Sequence, residues 1–154
     1  MKTLRRNLEL ARAQPGEASD LSRLAFAAKA SHGYGADQMA AWRTDLTVTE
    51  VFLEAHVTWV ARLDGDLAGW GVTVAWGRRC RLEHLWIAPA YQRQGIGRIL
   101  LRHLAVEARA AGWTELEILS DPLAASFYQR CGAQSAGDVA LSDGRRLPLL
   151  LLSV

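Results

Sequence analysis

The stretch Pro89-Ala-Tyr-Gln-Arg-Gln-Gly-Ile-Gly-Arg98 does most to limit how this chain can fold. Before it, Arg81-Leu-Glu-His-Leu-Trp-Ile87 reads as a strand with bulky apolar residues, and after it Ile96 to Ala111 reads as a long helix. Ile96, Leu100, Leu104, Ala108 and Ala111 mark one helix face, Arg98, Arg102 and Arg109 the other, and Gly112 is placed to end the helix. Thr114-Glu-Leu-Glu-Ile-Leu119 then reads as a further strand. Strand–helix–strand crossovers are nearly always parallel and right-handed. A strand that passes through glycines into a helix start also presents several unpaired N–H groups to one point. That point lies at the positive pole of the helix dipole, which suits a phosphate. A Gly-x-Gly at a helix start is weak evidence when taken alone, and the plainer reading is a strand-to-helix corner.

The flanking segments give this unit its setting. Leu8-Glu-Leu-Ala-Arg12 alternates like a strand, Pro15-Gly16 breaks it, and Glu17-Ala-Ser-Asp20 offers capping residues. Leu21, Leu24, Ala25 and Ala28 recur at helical spacing to about Ser31, His32-Gly-Tyr-Gly35 is a turn, and a second helix starts at Ala36 and carries Met39, Ala40 and Trp42. Asp45 to Thr49 leads into a short helix through Leu53. From His56 the period becomes two. His56 to Arg62 is a strand, Asp64-Gly65 a hairpin turn, and Asp66 to Trp76 a longer strand in which Gly69 and Gly71 permit a bend or close packing. Gly77-Arg78-Arg79 turns the chain back, giving a three-strand antiparallel meander. Past Leu119, Asp121-Pro122 opens a short helix that carries Phe127, Tyr128 and Arg130 and ends at Gly132. Two closing strands follow, near Gln134–Leu141 and Arg146–Leu152.

With 154 residues, half of them hydrophobic, and no repeat or linker, residues 1–154 read as one mixed α/β domain. A net charge of +2 from 18 basic and 16 acidic side chains gives no electrostatic reason to expect nucleic acid. The charged start Met1 to Arg6 is not followed by the apolar core of a signal peptide, and the longest apolar run, Leu147 to Leu152, is too short to cross a membrane. Cys80 and Cys131 lie far apart and read as reduced thiols, so a cytoplasmic protein is the expectation. His32, His56, His84 and His103 show no metal-ligand spacing, and no metal is expected.

The order of elements resembles the GCN5-related N-acetyltransferase fold, and three motifs agree with it. Gln92-Arg-Gln-Gly-Ile-Gly97 matches that family's Arg/Gln-x-x-Gly-x-Gly/Ala signature. It stands between Leu85-Trp-Ile-Ala-Pro89 and the helix start Arg98-Ile-Leu-Leu101. Asp121-Pro-Leu-Ala-Ala-Ser-Phe-Tyr-Gln-Arg-Cys-Gly132 is similar to the family's Asp-Pro…Phe-Tyr…Gly segment. The resemblance implies a mostly antiparallel sheet of about seven strands with a parallel splayed pair, flanked by about four helices. It implies acetyl-CoA as co-substrate, a primary amine as acceptor, and direct attack within a ternary complex. A homodimer is also compatible with the family, although core burial explains the apolar last strand equally well.

Residue by residue, the resemblance assigns the donor's pyrophosphate to the backbone of Arg93, Gln94, Gly95, Ile96, Gly97 and Arg98, with Gln92 orienting the turn. Leu85, Trp86 and Ile87 lie where relatives free a strand backbone to pair with the pantetheine arm, and the Ile87 N–H is aimed at the thioester oxygen. Glu83 is the candidate general base, since an amine must lose a proton before it attacks. It competes with a surface ion pair to Arg81, and Glu117 is a second candidate whose plainer reading is a solvated strand residue. Tyr128 matches the tyrosine that relatives place near the CoA sulfur, where a phenol can protonate the leaving thiolate; alternatively it is a core aromatic beside Phe127. Many relatives carry Asn where Leu123 stands, and Ser126 is then the substitute contact. His32, Tyr34 and Trp42 fall where relatives shape the acceptor pocket, or else simply pack. The competing function is a domain of the same fold that binds acyl-CoA without turning it over, and a generic nucleotide binder is a further option.

Overall fold

The structure is a computed structural model describing residues 6–154; the charged stretch Met1–Arg5 lies outside the described residues. The alternating residues of β1 (Leu8–Arg12) pair antiparallel with β2 (Thr58–Leu63), setting Leu8 opposite Leu63 and Arg12 opposite Trp59. Between them come α1 (Ala18–Ala30), α2 (Ala36–Trp42) and α3 (Glu50–Ala55). Asp64 and Gly65 take φ of 52° and 87°, the left-handed pair that a two-residue hairpin needs, and lead into β3 (Asp66–Trp76). Next are β4 (Arg79–Ile87), a 3₁₀ turn at Pro89–Tyr91, α4 (Ile96–Ala110), β5 (Glu115–Leu119), α5 (Ala125–Arg130), β6 (Gln134–Ala140) and β7 (Arg146–Ser153).

The seven strands follow the order β1-β2-β3-β4-β5-β7-β6, with β4 and β5 parallel. The mixed α/β fold with one parallel pair is therefore as expected. Five α-helices occur among the described residues, because Glu50–Ala55 forms a helix of its own. Thr49 caps it, its hydroxyl accepting from the Phe52 N–H at 3.1 Å. The parallel ladder pairs Cys80 with Leu116 and Arg81 with Glu117, and β4 runs on past it to Ile87. β7 lies between β5 and β6 and tolerates Pro148 because the register of β6 shifts between Ser135 and Asp138, beside the proline's partner.

Two compact units emerge from the described residues. One comprises the chain up to Val72 with His84–Leu101, and the other Thr73–Glu83 with Arg102–Val154. In the first, Ala61, Leu63, Ala68, Ile96 and Leu100 form a buried cluster, and Trp70 is wholly buried with its indole N–H donating to the Leu21 carbonyl at 2.9 Å. In the second, Leu104, Leu116, Ile118 and Leu150 are buried. Among the described residues no helix is long and apolar enough to cross a membrane.

The start of α1 departs from the sequence expectation. Glu17 is the N-cap residue but makes no side-chain cap bond, because its carboxylate accepts from the Gln14 N–H at 2.7 Å and pairs with Arg62. Glu50, in the first turn of α3, supplies the cap instead, accepting from the N–H of Gly16 at 2.9 Å and of Ala18 at 3.1 Å. Removing both acceptors with Glu50→Ala should cost about 1 kcal/mol, read as a lower urea midpoint with an unchanged slope. Glu50→Gln, which keeps one acceptor oxygen, should lose less.

Candidate functional site

At the exit of β4 the Ala88 N–H donates to the Ala68 carbonyl at 2.8 Å, and the Tyr91 N–H closes the 3₁₀ turn on Ala88 at 2.9 Å. Two residues of the next four are then left-handed, Arg93 at φ 62° and Gly95 at φ 82°. Gly95 adopts this at no steric cost, whereas a residue with a Cβ such as Arg93 gives up about 1–2 kcal/mol. The Gly95 carbonyl accepts the Ile99 N–H at 3.1 Å, the first turn of α4. The N–H groups of Ile96, Gly97 and Arg98 precede that bond and have no intrahelical acceptor by the geometry of any helix start. A Cβ built on Gly95 would meet nothing within 4 Å, so space over the turn is open. The positive φ alone therefore favours glycine at this position, independently of any ligand.

Side chains brace this turn. The Gln92 amide nitrogen donates to the Ile87 carbonyl at 3.1 Å and to the Ser31 hydroxyl at 3.3 Å. Gln94 donates to the Ala90 carbonyl at 3.4 Å and accepts from Arg6 at 2.9 Å. Leu85 and Ile87 pack against the Ala61–Ile96–Leu100 cluster. Across from them Gly69 allows a close approach, since a Cβ there would stand 2.8 Å from the Trp86 carbonyl and 2.5 Å from Ile87 Cδ1.

Trp86 and His84 share the other face of β4. The Trp86 indole N–H donates to His84 Nδ1 at 3.0 Å, and the His84 ring lies 4.9 Å from Trp70 and 6.1 Å from Phe52. Burial lowers the His84 pKa to about 4. The imidazole is therefore neutral near pH 7, and with Nδ1 accepting it carries its proton on Nε2. The signal for this bond in the chain is the i, i+2 spacing of His84 and Trp86, which puts both on one strand face. Glu83 is exposed on the alternate face.

In the second unit, Glu117 is buried and bound by two guanidiniums. Arg79 reaches one oxygen at 2.7 Å and Arg81 the other at 2.6 Å, and Arg81 also lies over Trp76, 4.9 Å from the ring centre. Burial pushes the Glu117 pKa up, but the hydrogen bonds and charges of Arg79 and Arg81 outweigh it, and the net shift is downward. Glu117 is therefore not a solvated strand residue, its two ion pairs favour the carboxylate over the protonated form, and Arg81, the partner considered for Glu83, is taken by it. Tyr128 is buried on α5, its ring 5.1 Å from Phe127. Burial first, then the charges of Cys131 and Asp121, hold its phenol above the ordinary tyrosine range. Ser126 is exposed on the same helix, and Leu123 is exposed just before it. Burial also raises the Cys80 pKa, against a smaller opposing effect of Thr73. Among the described residues no group of three or more His, Cys, Asp or Glu side chains could hold a metal ion.

Comparison with known proteins adds a family. The profile of the acetyltransferase (GNAT) family matches residues 20–133. A streptothricin acetyltransferase of Streptomyces lavendulae is 40% identical over 88 residues, covering 53% of this chain and 46% of that protein. The chain spans about half the length of the curated relatives it matches. Among solved structures, a GCN5-related N-acetyltransferase of Rhodopseudomonas palustris superposes with a TM-score of 0.80 at 20% identity over 95% of both chains. The PaiA N-acetyltransferase of Thermoplasma acidophilum, in complex with coenzyme A, superposes at 0.78 with 15% identity, over 96% of this chain and 99% of that one.

Two outcomes follow from the packing and charges. Gly69→Ala should destabilise the protein by about 1–3 kcal/mol in chemical denaturation, because the Trp86 carbonyl is backbone and cannot swing aside. For Glu117, a carboxylate depressed in the folded state stabilises it above the unfolded value near ~4.3 and loses that contribution as pH falls through the folded value. The stability gap between the native protein and Glu117→Gln should therefore be full at pH 7 and shrink below about pH 4.

Proposed function

Because the chain belongs to the acetyltransferase (GNAT) family, we propose that it transfers an acetyl group from acetyl-CoA to a primary amine of a small molecule, with residues 1–154 acting as one catalytic domain. The reading rests above all on the left-handed Arg93–Gly95 turn, open over Gly95 and tied by Gln92 to the Ile87 carbonyl. The N–H groups from Arg93 to Arg98 take the pyrophosphate of the donor. The backbone of Leu85, Trp86 and Ile87 pairs with the pantetheine arm, and the Ile87 N–H stabilises charge developing on the thioester oxygen. Ser126 takes the polar contact that Leu123 cannot make. Coenzyme A in the Thermoplasma relative supports the donor, and the likeness to a streptothricin acetyltransferase supports a small amine as acceptor.

In this mechanism the acceptor ammonium gives a proton to Glu83, directly or through water, and the freed lone pair attacks the thioester carbon. The C–N bond forms and the C–S bond breaks, and the extra proton on the newly acylated nitrogen passes, directly or through water, to the departing thiolate, leaving the amide and the CoA thiol. His84, neutral and with Nδ1 already bonded, is not the base. Tyr128 stays protonated throughout the neutral range. A phenol above its usual ~10 holds its proton more tightly than a thiol near ~8.5, so Tyr128 serves the departing sulfur chiefly as a hydrogen-bond donor. Cys80 is held as the thiol, consistent with direct transfer without an acyl-enzyme.

The test is CoA-thiol release across a panel of small amines that includes streptothricin. Glu83→Gln and Tyr128→Phe are each expected to lower kcat by about a hundredfold while acetyl-CoA still binds. Acetyl-CoA binding with no thiol release on any acceptor would favour a non-catalytic acyl-CoA-binding domain. Thermal stabilisation by ADP or NAD in preference to CoA would overturn the donor assignment itself.

A further inference from the structure

The chain carries sixteen arginines and two lysines, and Lys29 is the one lysine among the described residues. Its ammonium lies 4.5 Å from the centre of the Trp42 ring and 5.1 Å from that of Tyr34. These two rings stand perpendicular, 4.7 Å apart, and form two walls of a corner. Elsewhere the chain sets a guanidinium over one ring: Arg12 over Trp59 at 5.8 Å and Arg43 over Phe26 at 4.4 Å. A two-walled aromatic corner suits a compact ammonium better than a planar guanidinium. Trp42 is buried and Tyr34 half-buried, so the corner is partly shielded from water, which strengthens such contacts.

The location of the corner ties it to the candidate site. Lys29 lies in the last turn of α1, and Ser31, the residue that ends that helix, accepts from the Gln92 amide. The same amide nitrogen donates to the Ile87 carbonyl. One side chain therefore joins the corner's helix to the end of β4, where the proposed function puts the reacting carbonyl.

We propose that Tyr34 and Trp42 form a binding corner for a second, non-reacting ammonium group of the acceptor, and that Lys29 is the tethered occupant which that group displaces. The proposal rests on the amine-acceptor reading and narrows it to acceptors with at least two amino groups. A tethered side chain presents its ammonium at an effective concentration on the order of millimolar. A free monoamine must outcompete that tether with one weak contact. A diamine held at its reacting end competes on equal, intramolecular terms, so the corner selects for the second charge.

The binding test uses propylammonium, which reproduces the part of the side chain that Lys29→Ala removes, with propanol as its uncharged counterpart, read by tryptophan fluorescence and calorimetry. Lys29→Ala is expected to bind propylammonium about tenfold more tightly than the unaltered protein, and propanol no more tightly. Adding Tyr34→Leu should abolish that gain, and adding Tyr34→Phe, which keeps the ring, should preserve it. In turnover, Lys29→Met should raise kcat/KM for diamines about fivefold and leave monoamines unchanged. Equal propylammonium affinity in the unaltered and natively folded Lys29→Ala proteins overturns the proposal, as does an equal change for mono- and diamines in Lys29→Met. If Lys29→Ala does not fold, the Lys29→Met comparison decides. The binding arm needs no acetyl transfer, so a protein that binds propylammonium as expected yet acetylates no amine counts against the amine-acceptor reading and not against the corner.

Discussion

The left-handed backbone at Arg93 and Gly95 is the constraint on which the region between β4 and α4 depends. An L-residue at positive φ persists only where its neighbours over-determine it. Here they do: the Gln92 amide nitrogen is held by both Ile87 and Ser31, Gln94 folds onto Ala90, and Ala88 is pinned to Ala68. The missing Cβ of Gly69 lets β3 come up against Trp86 and Ile87 from behind. Strand end, turn and helix start are thus held in one geometry by bonds that make no use of a ligand. A ligand held by this turn, as proposed above, would meet a backbone that is already ordered.

Three ionisable groups on β4 and β5 illustrate how environment divides roles among similar residues. Glu83 is exposed, His84 is desolvated and neutral, and Glu117 is buried but matched by two guanidiniums. By charge alone Glu83 and Glu117 look alike. Glu117 cannot accept a proton without losing two ion pairs, so its environment makes it a structural anchor for the first residues of β4 and β5. Glu83 has no such tie to Arg79 or Arg81, whose guanidiniums are engaged elsewhere.

Much of this fold was legible in the chain because its signals are local. Period-two runs at Leu8–Arg12 and Asp66–Trp76, the Asp64-Gly65 turn, and the apolar stripe Ile96–Leu100–Leu104–Ala108 each depend on near neighbours. The glycine turn was legible for the same reason, and its left-handed glycine sits within the motif itself. What escaped the sequence were contacts between distant segments. Nothing near Glu17 indicates that Glu50 caps α1, and nothing near Glu117 shows that Arg79 and Arg81 converge on it. The insertion of β7 between β5 and β6 was equally hidden, because strand order depends on which edges are left to cover, not on any one segment. The rings of His32, Tyr34 and Trp42 stand out in the sequence, but the ammonium that sits against two of them belongs to the preceding helix.

The cap that α3 lends to α1 bears on how the helical region can move. Ser22 extends the same connection, its single hydroxyl proton within reach of the Ala18 carbonyl at 2.8 Å and the Val48 carbonyl at 3.1 Å, and its oxygen accepting from the Val48 N–H at 2.8 Å. Opening the first turn of α1 therefore exposes polar groups on the α2–α3 connector and on α3 as well, so these segments unfold locally together or not at all. Amide exchange at Ala18 and Val48 would follow a single opening event. The turn at residues 31–35, by contrast, contains a left-handed Gly33 with nothing within 4 Å of where a side chain would begin. A side chain or ligand approaching Gly33 would therefore find room that the α1–α3 block, tied through Glu50 and Ser22, does not offer.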